Sequence, residues 1–239
     1  MTPHLSIVVP AYNEAPRIGL TLDELRGALP SFGHPWEIRI VDDGSADGTA
    51  AIVETAARAD PRIVLQREPH RGKGAAIRAG LLAAAGELRF MCDADLSMPV
   101  AELPRFLALV PAQADIAIGS REGIGARRVG EPAYRHWTGR MFNVLVRLGT
   151  LGGIRDTQCG FKMFSRAAVE RIFPRTTLDG WAFDIEVLSI ARRQGLRIVE
   201  VPIEWHYRED SRVSLLRDSV RMARDVLRVR ANMMRGRYE

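Results

Sequence analysis

Between residues 5 and 120 the chain repeats one unit: a short β-branched or apolar run, an acidic or glycine-containing turn, then a helix-length stretch. Residues 5–9 form a run, apolar except at Ser6, of the kind a strand covered on both faces shows, and Pro10, Tyr12 and Asn13 stop it. A helix is expected from Glu14 to about Leu29. A second strand, residues 36–41, ends in Asp42, Asp43, Gly44 and Ser45, and either Asp47 or Ser45 is placed to cap a helix running to about Ala59. A third strand (63–66), an alanine-rich helix through Ala85, a strand over 88–92, a helix over about 100–109 and a strand over 116–118 complete the series. Such alternation predicts an α/β fold with a right-handed, open, mostly parallel sheet flanked by helices. Ligands of sheets of this kind sit at the C-terminal ends of the strands, where the acidic and glycine-rich turns of this chain fall.

The turn after the fourth strand carries Asp93 and Asp95, followed by Pro99. Two carboxylates this close repel and resist desolvation, so at the end of a buried strand they call for a cation, whereas on a plain solvated turn they need none. Oxygen ligands of this kind suit Mg²⁺ or Mn²⁺ and not zinc. Because Mg²⁺ takes few protein carboxylates and completes its shell with phosphate oxygens, the pair suggests a phosphate-bearing substrate. Asp43 ends its strand where a carboxylate accepts hydrogen bonds from a ribose or a base, or else only closes a turn. Arg71 and Lys73 flank the glycines of His70-Arg71-Gly72-Lys73-Gly74, a turn able to approach phosphate. The spacing is not that of a P-loop, which removes the ordinary nucleotide triphosphatase reading.

The 239 residues, 46% hydrophobic and 26% charged, are those of one globular domain; no repeat, low-complexity tract or linker calls for a second. Lys73 and Lys162 are the only lysines, so the net charge of +5 is carried by arginine, which reflects either phosphate recognition or a GC-rich genome. No nucleic-acid recognition motif is present, and the arginines crowd the last third, as expected for a phosphate ligand or an anionic membrane surface. Cys92 and Cys159 lie in apolar contexts and read as reduced packing residues of a cytosolic protein. No leader-like segment precedes the first strand, and the most apolar stretch, residues 141–154, contains Arg147 and three glycines and is too short to cross a bilayer.

Beyond residue 120 the regular pattern ends. Residues 123–132 read as a mobile glycine- and arginine-rich loop, residues 136–149 as a helix and 161–164 as a strand. A helix starts near residues 180–186, a final strand covers 198–205, and a helix covers 215 to about 235. In this last helix Leu215, Ser219, Met222, Val226, Val229 and Met233 form one stripe, and Leu216, Val220, Ala223, Leu227 and Met234 the next. Arg217, Arg221, Arg224, Arg228 and Arg235 run beside them, which suits either an interfacial helix on anionic lipid or a helix packed on its own sheet.

With these residues the chain resembles glycosyltransferase family 2, the inverting enzymes of the GT-A fold. Residues 10–14 (Pro-Ala-Tyr-Asn-Glu), 41–45 with Asp47, Gly48 and Thr49, and the Asp93-Ala94-Asp95 motif occur in the family's order. Residues 71–74, 119–121, 156–162 and 181–186 look like the branch that transfers a hexose to a polyprenyl phosphate; the Gln-x-x-Arg-Trp motif of processive synthases is absent. The resemblance implies a Rossmann-like GT-A domain over residues 1–214 and an amphipathic helix over 215–239 packed on it or extending from it. It further implies a nucleotide sugar, of the UDP-glucose or GDP-mannose type, against Pro10, Tyr12, Glu14, Asp43, Arg71, Lys73, Asp93 and Ala94. The metal would be Mg²⁺ or Mn²⁺ on Asp93 and Asp95. Arg121, Arg128 and Arg135 would hold the acceptor phosphate, with Asp156 a positioning residue or an optional base. Many relatives continue into transmembrane helices and this chain stops at Glu239, so a protein peripheral to the cytoplasmic membrane face is expected. A soluble or saccharide acceptor is the alternative, and a non-catalytic sugar-nucleotide-binding protein the alternative of another class. Asp210, Ser211, Arg212 and Val213 stand where the family often has Gly-Ser-Lys-Val.

Overall fold

The computed structural model describes residues 2–132, 151–207 and 215–239, with side chains of the last segment from residue 221 onward. In chain order the elements are β1 (Leu5–Ala11), α1 (Ile18–Ala28), β2 (Trp36–Asp43), α2 (Thr49–Ala59), β3 (Ile63–Glu68), α3 (Lys73–Ala83), β4 (Leu88–Met91) and α4 (Leu103–Leu107). They continue with β5 (Ile116–Ser120), β6 (Arg127–Val129), β7 (Lys162–Ser165), α5 (Arg166–Ile172), α6 (Phe183–Arg193), β8 (Ile198–Pro202), β9 (Glu204–His206) and α7 (Leu215–Met234).

The main sheet has the order β3-β2-β1-β4-β7-β5-β8, parallel except for β7, which runs antiparallel between β4 and β5. Consecutive residues of β1 serve opposite faces, as a strand with helices on both sides requires. Ile7 and Val9 belong to the core under α1, α2 and α4, while Val8 belongs to the core under α3, α5, α6 and α7. Helix α3 lies so close to the sheet that a Cβ on Gly80 would stand 2.5 Å from Val41 Cγ2 and 2.6 Å from Val8 Cγ1, which is why glycine occupies that helical position despite its low propensity.

The predicted α/β architecture is present, with local differences. Helix α1 starts at Ile18, because the chain before it is laced to the β2 turn: the Asn13, Glu14 and Ala15 N–H groups donate to Ser45 Oγ (2.8 Å), Thr49 Oγ1 (2.7 Å) and Asp47 Oδ2 (3.1 Å). Neither candidate cap holds the N-cap position of α2, which is Gly48; Asp47 lies one residue earlier, its Oδ1 accepting from the Thr49 N–H at 2.9 Å, and Ser45 Oγ accepts from Asn13. The loop expected over residues 123–132 contains β6, and the single strand expected over 198–205 divides at Ile203, its second part, β9, leaving the main sheet to pair in parallel with β6. The Ile203 N–H still donates to Ser120 O, so the chain swings out immediately past the end of β5. The helix expected over 136–149 and the 210–213 loop lie outside the described residues.

Helix α7 packs on the fold through one of its two apolar stripes. Met222 and Val229 are buried and Val226 and Met233 partly so, against the core that includes α6, which decides for this stripe in favour of packing. The neighbouring stripe faces out, with Leu227 66% and Met234 75% exposed and Arg221, Arg224, Arg228 and Arg235 exposed around it. Among the described residues no helix is long and apolar enough to cross a membrane.

Candidate active site

The strand order reverses between β1 and β4, which sit side by side and leave in opposite directions, and Asp93 and Asp95 stand at the C-terminal end of β4 at this switch point. The turn that presents them is held from three sides. Thr21 Oγ1 of α1 donates to the Ala94 carbonyl at 2.5 Å, the Ser97 N–H donates to Asp95 Oδ1 at 3.0 Å, and the His206 N–H of β9 donates to the Ser97 carbonyl at 2.7 Å. Leu96 has φ 44°, a left-handed conformation unfavourable for a branched residue, so the turn is kept against its local preference by these contacts. Burial, then the charge of Asp93, push the Asp95 carboxyl above its ordinary pKa.

Asp93 is 31% exposed at its side chain and is paired with the ammonium of Lys73, the first residue of α3. Beneath it the chain passes at Gly160, where a Cβ would stand 2.0 Å from Asp93 Oδ2. A second ion pair lies beside the first: Lys162 Nζ, fully buried, meets Asp184 Oδ1 at 2.5 Å. The two lysines of an otherwise arginine-based chain thus converge on one site. A compact ammonium fits a space between carboxylates that a planar guanidinium does not. Burial opposes the charge on Lys73, yet Asp93, Asp184 and Asp95 together raise its pKa. Lys162, Asp184 and Gly160 had no assigned role in the sequence reading; the lysine census was the available signal.

The other predicted residues fall into two groups around this centre. Pro10 lies in β1 opposite Val41, and Tyr12, 37% exposed, stacks on His70 with ring centroids 4.1 Å apart. Glu14 pairs with Arg17 Nε at 2.7 Å. Asp43 turns its carboxylate onto the β3–α3 turn, Oδ1 accepting from the Arg71 N–H and Oδ2 from the Gly72 N–H, each at 2.9 Å, with His70 Nδ1 2.8 Å from Oδ2. The Gly74 and Ala75 N–H groups donate to Asp179 O. With these four amides engaged inside the protein, the charge this turn presents is that of its side chains, Arg71 and Lys73.

On the far side, at the end of β5, Arg121 closes a two-pronged ion pair on Asp156: Nε donates to Oδ2 at 2.7 Å and Nη2 to Oδ1 at 2.9 Å, and the Arg121 N–H adds a third bond at 3.0 Å. Asp156 is fully buried. Burial alone would raise its pKa, but the Arg121 guanidinium overcomes that and holds the carboxyl at about 2. The Arg121 guanidinium also lies 5.4 Å from the Trp205 ring centroid. Arg128 donates to Arg121 O, Glu131 Oε2 and Glu122 Oε1, at 3.2, 2.6 and 2.8 Å. Of the two described arginines expected to hold the acceptor phosphate, Arg121 therefore directs its fork at Asp156 and Arg128 bridges two glutamates; Arg135 lies outside the described residues.

The donor set at Asp93 and Asp95 fits a hard divalent cation. Two carboxylates share one turn, and Gly160 passes under one of them without a side chain. Mg²⁺ and Mn²⁺ are held in this way, by a pair of carboxylates plus oxygens from substrate.

An open, mostly parallel sheet with a carboxylate pair at its switch point defines a Rossmann-like α/β fold, and the comparison with known families is specific. The glycosyl transferase family 2 model matches residues 6–173, and the chain belongs to that family. It is 38% identical over 239 residues to dolichyl-phosphate beta-glucosyltransferase ALG5C of Trichomonas vaginalis, covering 95% of this chain and 70% of that one. It is 34% identical over 254 residues to the human dolichyl-phosphate beta-glucosyltransferase, covering 99% and 78%. Among solved structures, mannosyl-3-phosphoglycerate synthase from Rubrobacter xylanophilus superposes with a TM-score of 0.70 at 22% identity over 98% of this chain and 75% of that one. Glucosyl-3-phosphoglycerate synthase from Mycobacterium tuberculosis, in complex with Mn²⁺, UDP-glucose and phosphoglyceric acid, gives 0.69 at 18% identity over 99% and 80%. These structural likenesses establish the GT-A-like fold.

Proposed function

We propose that the chain is an inverting, metal-dependent glucosyltransferase that moves glucose from a nucleotide sugar to a polyprenyl phosphate at a membrane surface. The observation that carries the reading is the Asp93–Asp95 pair at the switch point, with Lys73 against it, in a chain whose relatives over nearly its whole length are named dolichyl-phosphate beta-glucosyltransferases.

In this reading the base and ribose lie along Pro10, Tyr12, Glu14 and the turn that Asp43 holds, and the diphosphate lies over Asp93, Ala94 and Asp95 beside Lys73 and Arg71. A divalent cation on Asp93 and Asp95, Mg²⁺ or Mn²⁺, supplies charge neutralisation on the departing nucleoside diphosphate, an effect worth several kcal/mol. An acceptor phosphate oxygen attacks the anomeric carbon from the face opposite the diphosphate, the carbon–oxygen bond to the diphosphate breaks with its electron pair, and an α-linked donor gives a β-linked product. The attacking oxygen is already ionised near neutral pH, so no strong base is required. Asp156, held at about 2 and locked to Arg121, is accordingly a positioning residue: it fixes the guanidinium that in this reading meets the acceptor phosphate. The outward stripe of α7, Leu227 and Met234 among exposed arginines, provides peripheral attachment, and the free thiols Cys92 and Cys159 suit the cytoplasmic face.

The test is transfer of radiolabelled sugar from UDP-glucose, and in parallel GDP-mannose, to a short polyprenyl phosphate with Mg²⁺ or Mn²⁺. Lipid-linked glucose is the expected product. Label appearing only on soluble or saccharide acceptors would assign the fold to the alternative acceptor class.

A further inference from the structure

The Lys73–Asp93 ion pair stands at the mouth of the site, beside the buried Lys162–Asp184 pair. Lys73 is the first residue of α3, where the helix dipole disfavours a cation, and its side chain is 15% exposed with the Trp181 ring centroid 5.3 Å from Nζ. The neighbouring carboxylate, Asp184, already has its own buried cation in Lys162. The amides of Gly74 and Ala75 are committed to Asp179 O and those of Arg71 and Gly72 to Asp43, so they supply no donor to a phosphate. Lys73 is the one lysine at the mouth of the site, held by a carboxylate that the transferase reading assigns to the metal.

We propose that Lys73 and the divalent ion compete for the Asp93 carboxylate, and that Lys73, displaced from Asp93, passes to the donor's diphosphate. This rests on the reading of Asp93 as a metal ligand and adds an order to it. Lys73 neutralises Asp93 until the ion replaces it. The freed ammonium has Asp184 already paired beside it, and the incoming diphosphate is the anion left for it to meet. A lysine serves here because its flexible stem and single charged point move from one oxygen to another without the geometric demands of a guanidinium fork. The consequence is a pair of opposite effects, which a lysine that merely supported the loop would not produce.

The experiment is a comparison of wild type, Lys73→Met and Lys73→Arg, all checked for unchanged thermal melting. Binding of Mn²⁺ alone is followed by the electron paramagnetic resonance of the free ion, then UDP and GDP are titrated calorimetrically at saturating Mn²⁺. The account expects Lys73→Met to bind Mn²⁺ about tenfold more tightly, because a competing unit charge is gone, and to bind the better of the two nucleotides at least about tenfold more weakly. Lys73→Arg keeps the charge on a bulkier, planar group that meets Asp93 less well, and is expected to bind Mn²⁺ with an affinity between those of wild type and Lys73→Met. Mn²⁺ affinity in Lys73→Met that is unchanged or weaker, with wild type binding both Mn²⁺ and nucleotide, overturns the competition and leaves the transferase reading standing. Failure of wild type to bind either nucleotide with Mn²⁺ removes that reading and this inference together.

Discussion

Gly160 forms the floor under Asp93: a side-chain carbon there would lie 2.0 Å from one carboxylate oxygen and 2.9 Å from the other. The Asp156–Lys162 segment therefore contributes to the centre by passing close without a side chain, and Asp93 owes its position to a residue far from it in sequence. Gly160→Ala is expected to displace Asp93 and to lower sugar transfer by about 10²-fold, the cost of misplacing a reacting group by about 1 Å. Because Asp93 is partly exposed and has room to yield, the stability cost is expected to be small, about 1 kcal/mol. Steady-state transfer rates beside urea denaturation check both halves; undiminished turnover would release Gly160 from the site.

The Arg121–Asp156 fork makes a prediction in pH. The Asp156 carboxyl is depressed from its ordinary 3.8 to about 2, so its contribution is fully present above pH 3.8 and is lost as pH falls through 2. The shift corresponds to roughly 2 kcal/mol. Asp156→Asn should abolish that component, flattening the stability curve between pH 4 and pH 2, and should cost roughly 3 kcal/mol at neutral pH by leaving Arg121 unpaired. Urea midpoints across this range, for wild type and variant, decide the matter, and parallel curves would contradict the assignment.

A third prediction concerns the C-terminal turn. The fully buried Glu186 accepts from the Thr177 N–H, the Leu178 N–H, Thr177 Oγ1 and the Tyr238 hydroxyl, each at 2.8 Å, and Asn232 Nδ2 donates to that hydroxyl at 3.0 Å. Tyr238→Phe removes two hydrogen bonds, the one given to Glu186 and the one taken from Asn232, and should cost about 2 kcal/mol. Glu186→Ala strands two backbone donors as well and should cost roughly 3–5 kcal/mol. Equal losses in the two variants, measured by calorimetry, would show that the network does not act as described.

How much of this was legible depended on where each signal is stored. Strands β1 to β5 were readable because a doubly covered strand must be apolar at successive positions, as at Ile7, Val8 and Val9. Residues 161–164 read as a strand but carried no direction, since antiparallel pairing of β7 with β4 and β5 is decided by partners and not by composition. The three-residue β6 fell below any periodicity, and β9 was read as the end of one strand over 198–205 because the change of sheet at Ile203 leaves no mark in the composition. Asp93, Asp95, Asp43 and Lys73 were visible because their chemistry is local to a turn. Lys162 and Asp184 were not, because each acquires its meaning from the other across the fold. Helix α7 announced its amphipathicity, yet two adjacent apolar stripes gave no ground for choosing which would face in.

That outward stripe gives the fourth prediction. Leu227 and Met234 with Arg221, Arg224 and Arg228 should draw the protein to anionic vesicles, each arginine near the surface adding about 1 kcal/mol that salt screens over about 8 Å. Co-sedimentation with vesicles containing anionic lipid is expected at low salt, with partial release at high salt. Replacing the three arginines by glutamine should weaken it and raise the apparent KM for a membrane-embedded acceptor, leaving turnover of a short soluble analogue unchanged. A wild type indifferent to such vesicles at every salt concentration would make α7 a packing element only.

The most direct measurement is the rate of glucose transfer from the nucleotide sugar to a polyprenyl phosphate by wild type and by Asp95→Ala, each first shown to be folded. Removing one of the two carboxylates at the switch point unpairs the diphosphate charge without entering the core, and the account predicts a loss of at least about 10³-fold, roughly 4 kcal/mol of barrier. Transfer by Asp95→Ala within about tenfold of wild type, a difference of only ~1.4 kcal/mol, would contradict it.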